Sequence, residues 1–484
     1  MADARRLVGA RAELPVPRGP ARWPLVAVCA AFAVLPLALV PITLPLGWDE
    51  IVYASRFEPY GPATPFSAPR TRGVPLLIAP VAYWSDSVVL LRVWLTVLST
   101  GALYLGFRPW LRVFDRRPAT VAVAAGLYGS LWFALFYAGA AMPNHYTAMG
   151  AVAAVGLFLR LRPTPFTYAG IGAAIALATL MRPNDGAAVA APLLLASFGV
   201  LTPRSPARAA AALGGVLAGA LPWVIEAYVR FGGVRERLGD ASDVQGGLRP
   251  LAALTAQFTV ADGPLLCRPC DADSVRAVAL EWWVLLALLV AAGLWAARRT
   301  DRGARVLWLA VAVGSTAALP YLLLVPYGAP RFLLPTHALL ALPAAVGLLA
   351  LADRALAARR RRVAGGVLLA VLACHLAVQL PLAHGNGRIQ AGARGDWSRV
   401  TEVLRAQGVR PPCVIQGNTS VIPVAYVSGC VAADRGDRRR PTALVLREGT
   451  VPRWARDWQR RPVPDTYAPG WTVLVPPSAA SSEA

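Results

Sequence analysis

"LPLGWDEIVYASRFEPY", residues 44–60, closes the first long apolar run of the chain and places two adjacent carboxylates, Asp49 and Glu50, at its end. Trp48 and Tyr53 flank them. Two readings are open for this stretch. Asp49 can N-cap a short helix, "EIVYASRF", with Glu50 in the first turn favouring the helix dipole. Alternatively, the pair does chemistry. The run before it points to the fold class. About twenty consecutive apolar residues cross a bilayer core as a helix, and such runs recur along most of the sequence.

Composition supports that class. The 484 residues are 56% hydrophobic and 15% charged, with a mean hydropathy of +0.50. A soluble chain would carry roughly a quarter charged residues. The net charge is +22, and every basic residue is Arg. A basic balance can signal nucleic acid, but these arginines alternate with apolar segments, the pattern of topology control, so no nucleic-acid partner is expected. The absence of Lys fits a GC-rich bacterial genome.

Eleven membrane helices are expected: 24–46, 86–107, 119–140, 146–161, 166–181, 186–202, 209–230, 278–297, 306–326, 332–352 and 364–384. The first run is too long for a signal-peptide core, and no small-x-small cleavage site follows it. Residues 73–84 are apolar but short and Pro-interrupted, as in an interfacial or re-entrant piece. Arg-rich short loops face the cytoplasm. The N-terminal tail 1–23, "FRPWLRVFDRR", "RRTDRGAR" and "DRALAARRRR" are such segments, whereas the alternate turns "AMPNHY", "RPND" and "YGAPR" hold one Arg or none. The N-terminus is therefore expected inside a plasma membrane. The large segments 47–85 and 231–277 and the tail 385–484 are expected outside.

The tail is expected to be a small α/β domain. "DWSRVTEVLRAQG" has the spacing of a helix, "PCVIQGN", "TALVLRE" and "GWTVLVPP" read as strands, and "TSVIPVAYVSGC" and "VPRWARDWQRR" as helices. No Gly-rich phosphate loop follows a strand. Cys413 and Cys430 form either a disulfide or two buried thiols. Cys267 and Cys270 read as a small structural disulfide, since no strand–helix redox context surrounds them.

Several polar residues ask for an explanation. Arg92 lies inside the second helix and faces either the bundle interior or, by snorkelling, the interface. Asp86 precedes it. Glu226 and Glu281 add further acids at the same rim. Arg182 and Arg331 stand in short outer turns, where the positive-inside rule leaves arginine unexpected, and Arg70 and Arg72 lie in the first outer loop. Arg182 and Arg331 suit an anion such as a lipid-linked phosphate, or a lipid headgroup anchor. Asn144 and His145 lie in the second outer turn, as hydrogen-bonded turn residues or as substrate contacts.

The motifs "GWDEIVYASR" (47–56), "RTRG" (70–73), "MPN" (142–144), "LMRPNDG" (180–186) and "YGAPRFLLPTHALLALPAA" (327–345), in a frame of eleven helices, resemble the GT-C superfamily of membrane glycosyltransferases. That superfamily includes the protein O-mannosyltransferases, the lipid A aminoarabinose transferases and the actinobacterial cell-wall glycosyltransferases. The resemblance covers most of 24–384. It implies transfer of a sugar from a polyprenyl-phosphate donor to the hydroxyl of a glycan, lipid or protein acceptor, with Asp49 as general base and Glu50 orienting the acceptor or a cation. Arg331, with Arg70 or Arg72, would hold the donor phosphate. Asp86, Arg92, Asn144, His145 and Arg182 are further candidate substrate contacts. Some members use a divalent cation beside the acid, but Asp49 and Glu50 alone are too few ligands to argue for one. The alternative is a non-catalytic GT-C-like scaffold or a carrier of lipid-linked saccharides.

Overall fold

A computed structural model describes residues 21–200, 203–268, 270, 275–433 and 439–477; most of the N-terminal tail lies outside that range. Helix α1 spans Trp23–Leu39, shorter than the expected 24–46. Val40 turns extended because the ring of Pro41 disfavours helical geometry in the residue before it. Helix α2, Trp48–Ala54, carries the two acids, and Gly47 is its cap residue. The capping bond differs from the expected one. Glu50, not Asp49, reaches back to accept the Gly47 amide at 2.7 Å, while Asp49 sits in the first turn.

Helix α3, Gly73–Ala82, is the short apolar piece. Helix α4 is Val88–Phe107. The expected helix 119–140 is two helices, α5 (Ala119–Gly129) and α6 (Trp132–Ala138), bent by 81°. The intrahelical ladder stops there. Leu131 is extended, and the Trp132 amide donates to the Gln379 side chain instead. Then follow α7 (Asn144–Phe158), α8 (Pro165–Met181), α9 (Pro183–Ser197), α10 (Pro206–Arg230), α11 (Val234–Val244) and α12 (Leu254–Phe258). The bundle ends with α13 (Glu281–Ala297), α14 (Asp301–Leu323), α15 (Leu334–Ala357) and α16 (Arg361–Ala406). Among the described residues six helices are long and apolar enough to cross a membrane, or seven if α5 and α6 form one span. The shorter α1, α7, α8 and α9 fall below that length.

Helix α16 runs 46 residues without a break, through position 384 and into the segment expected to be the tail's own helix. Four glycines lie between 385 and 395. Two of them serve close packing. A Cβ on Gly387 would lie 3.0 Å from Pro41, and one on Gly392 would lie 2.6 Å from Tyr467.

A five-stranded sheet follows, in the order β2-β1-β3-β5-β4. The strands are β1 (Val414–Gly417), β2 (Val431–Ala432), β3 (Ala443–Arg447), β4 (Gln459–Pro462) and β5 (Trp471–Val475), with helix α17 (Val421–Ser428) between β1 and β2. β1 pairs in parallel with β2 and β3, and β5 pairs antiparallel with β3 and β4. The expected helix in "VPRWARDWQRR" is a 3₁₀ turn, Arg453–Ala455, followed by strand β4. Pairing along β5 overrides local helix propensity there. Disulfides join Cys413 to Cys430 and Cys267 to Cys270.

The sheet does not stand apart. One buried cluster joins Ile51, Val52 and Tyr53 of α2 to Trp397 and Val400 of α16 and to Ile415, Val424 and Val473 of the tail. Asp396, fully buried, accepts the amides of Tyr467 and Ala468 at 2.6 and 2.9 Å and pins the tail to α16.

Candidate active site

Asp49 and Glu50 are neighbours on one helical turn, yet their surroundings are opposite. Glu50 is 3% exposed. Its oxygens face both terminal guanidinium nitrogens of Arg92, Arg394 at 3.1 Å, the Gly47 amide, and the Ala141 amide at 2.9 Å. Burial raises its carboxyl, and Arg92 and then Arg394 outweigh that and bring it down to about 2. A buried charge needs such pairing and hydrogen bonding. Glu50 therefore ties the first loop to α4, to the turn before α7 and to α16. Arg92 points into the bundle, also donating to the carbonyls of Gly139 and Leu44 at 2.8 and 3.1 Å. A small, partly open apolar hollow lined by Pro36, Val40, Leu135 and Phe136 among others borders Glu50 and Arg92.

The Asp49 side chain is 34% exposed. Arg70 bonds Oδ1, and Arg331 approaches Oδ2 at 3.3 Å. Arg70 leans over the Tyr53 ring, and Arg331 lies against Phe332, 5.2 Å from its centroid, with a 3.4 Å contact to the Tyr137 hydroxyl. Arg182 stacks on Tyr321 and Phe332, 5.4 Å from each centroid, and pairs with Asp185 at 3.2 Å. Burial raises the Asp49 carboxyl, but the charges of Arg70, Arg331 and Arg182 overcome it and hold it below the usual carboxylate value. Two guanidiniums, Arg70 and Arg331, thus hold one partly open carboxylate, and the charge of a third, Arg182, reaches it from the aromatic faces of α14 and the turn before α15. Such forks are suited to a phosphate, which accepts paired N–H bonds.

The fold brings Asp49, Glu50, Arg70, Arg92, Arg182 and Arg331 together. The remaining candidates lie elsewhere. Arg72 turns to Glu226. Asp86 is exposed at the start of α4. His145 is buried between the Tyr128 hydroxyl and the Ser99 carbonyl, 2.9 Å from each, as a hydrogen-bonded core residue. Asn144 is fully buried, and its side chain has no hydrogen-bond partner among the described residues. Arg394 and Tyr137 belong to the site and were not anticipated. Arg394 reaches it only because α16 continues past 384, and no local pattern announces that. Among the described residues no three His, Cys, Asp or Glu side chains gather as a cation site. Asp49 and Glu50 spend their oxygens on arginines, so the residues present do not fit a divalent cation.

No family model matches the sequence, and no curated protein matches it. Solved structures do match the fold. ArnT from Cupriavidus metallidurans, crystallised with undecaprenyl phosphate, superposes with a TM-score of 0.64 over 95% of this chain and 99% of its own, at 12% identity. The apo form gives 0.59 over 93% and 97%, at 13% identity. An oligosaccharyltransferase from Archaeoglobus fulgidus gives 0.51 at 14% identity; the match covers 85% of this chain and 64% of that one. The chain therefore has an ArnT-like fold, a helical membrane-type bundle with a small C-terminal sheet domain.

Proposed function

We propose that the protein is a membrane glycosyltransferase that moves a sugar from a polyprenyl phosphate to an acceptor hydroxyl at the outer face of the plasma membrane. The observation that carries this reading is the Asp49 carboxylate held between Arg70 and Arg331. The undecaprenyl phosphate in the ArnT crystal supports the donor class.

The acceptor oxygen attacks the anomeric carbon as the bond from that carbon to the phosphate oxygen breaks. The phosphate leaves with the electron pair, and Asp49 takes the acceptor proton. A positioned carboxylate contributes roughly 10²–10⁴-fold to such a step. Arginines stabilise the charge that grows on the departing phosphate. Both Asp49 oxygens are engaged in the resting arrangement, so the donor phosphate has a second task. By drawing Arg70 and Arg331 to itself it frees the carboxylate and restores its basicity. Glu50 is fully occupied with Arg92, Arg394 and two amides, which supports a positioning role.

The test is transfer from a radiolabelled polyprenyl-phosphate sugar by purified protein in vesicles. Asp49→Asn should abolish transfer while the protein stays folded in detergent. Full transfer by that variant would remove Asp49 as base, and no transfer by the wild type would leave the scaffold or carrier reading.

A further inference from the structure

A second arginine cluster forms two residues along from Arg70, and the proposed transfer chemistry does not use it. Arg56, Arg72 and Arg230 surround the ring of Phe66, with their guanidinium carbons 5.6, 4.5 and 6.0 Å from its centroid. Behind them lies Glu226, paired with Arg72, with Arg230 at 2.8 Å and with Arg237 at 2.9 Å. Arg237 is wholly buried. It donates to the carbonyls of Ala68 and Arg70 at 3.0 and 2.9 Å and so fixes the segment carrying Arg70 and Arg72.

Three guanidiniums, those of Arg72, Arg230 and Arg237, share this one carboxylate. Arg56 has no carboxylate within ion-pair distance among the described residues, and its Nε is buried without a partner. Burial, then repulsion from Arg72, Arg230 and Arg70, draws Arg56 down to about 10. Arg72 and Arg230 are 37% and 39% exposed. Each donates one side-chain bond, to Glu226, and so has donors to spare. Arginines that merely snorkel separate and hydrate. These are held against one another around one ring, an arrangement that asks for an anion.

The place of the cluster selects the anion. Arg230 ends α10, a helix long and apolar enough to span the membrane. The flank of α10 that leads to it exposes Leu217, Leu221, Ile225, Tyr228 and Val229, each more than half accessible. We propose that Arg56, Arg72 and Arg230 form a second phosphate site, separate from Asp49, that holds the headgroup of a phosphate-bearing lipid whose chains lie along this flank of α10. Glu226 and Arg237 position the three arginines.

The test is a titration of the purified full-length protein with dioctanoyl phosphatidic acid, followed by native mass spectrometry. Wild type and Arg331→Gln should bind it equally. The double variant R72Q/R230Q should bind about tenfold or more weakly, the loss expected of one or more charge-assisted bonds. Arg56→Gln, which strands no buried acid, should weaken binding in the same direction and serves if the double variant fails to fold. Inorganic phosphate and dioctanoyl phosphatidylcholine should both bind more weakly than phosphatidic acid. Equal binding by either would overturn the assignment to an anionic lipid. Unchanged binding in the folded arginine variants, or loss in Arg331→Gln instead, would overturn the site.

Discussion

Asp49 and Glu50 differ by one position and about thirty per cent in side-chain exposure, and this separates their consequences. Removing the charge of Glu50 leaves Arg92 and Arg394 buried without their partner. Breaking such a pair costs about 3–5 kcal/mol, so Glu50→Gln should lower the thermal midpoint in detergent strongly, and an unchanged midpoint would deny it the structural role. The folded carboxyl sits at about 2 against an ordinary 4.5. Its stabilisation is therefore complete above about pH 4.5 and is lost as pH falls toward 2. Asp49, held low by its arginines, should place the acidic limb of kcat/KM below the usual carboxylate value. Replacing Arg331 by Gln removes one of the charges holding it low and should move that limb upward; a limb that stays put would mean that Asp49 is not the titrating group. In the sequence the acids and arginines were visible as candidates. The division of labour between them was not, because it depends on Arg394, some 340 residues away, and on an amide of the turn before α7.

Helices α13 and α15 meet through two glycines. A Cβ on Gly347 would lie 2.1 Å from the Leu289 carbonyl, and one on Gly293 would lie 2.0 Å from that of Pro343. Small residues at a crossing let membrane helices approach backbone to backbone. Gly347→Leu should therefore force the pair apart, at a cost of about 1–3 kcal/mol or more, and lower the thermal midpoint. Gly214→Leu on α10, where nothing lies within 4 Å, should leave it unchanged; equal losses in both variants would contradict the crossing. Apolar runs revealed where helices lie, since lipid solubility is written residue by residue. The bend between α5 and α6 and the continuity of α16 were hidden, because each is settled by a distant partner. Gln379 takes the Trp132 amide, and Pro41 and Tyr467 fill the grooves at Gly387 and Gly392.

At the scale of the whole molecule the tail and the acid-bearing loop share one core. Trp397 and Val400 on α16 share one buried cluster with Ile51 and Val52 of α2 and with Val473 and Ile415 of the sheet, the last two fully buried. The boundary expected at 384/385 is crossed both by a helix and by this core, so the sheet acts as a buttress for the loop that carries Asp49. A charge placed in the sheet should then be felt at the site. Val473→Asp buries an unpaired carboxylate, for which no described cation stands ready in that cluster, and the core should loosen. The first loop should open with it. Trypsin should cut the variant after Arg56 and Arg70, which in the native protein are half-buried and held by Thr64 and Asp49 respectively, and sugar transfer should fall in parallel. If the variant loses the sheet's compactness while the first loop stays resistant to trypsin, the two parts are independent, and the buttressing role of the tail is excluded.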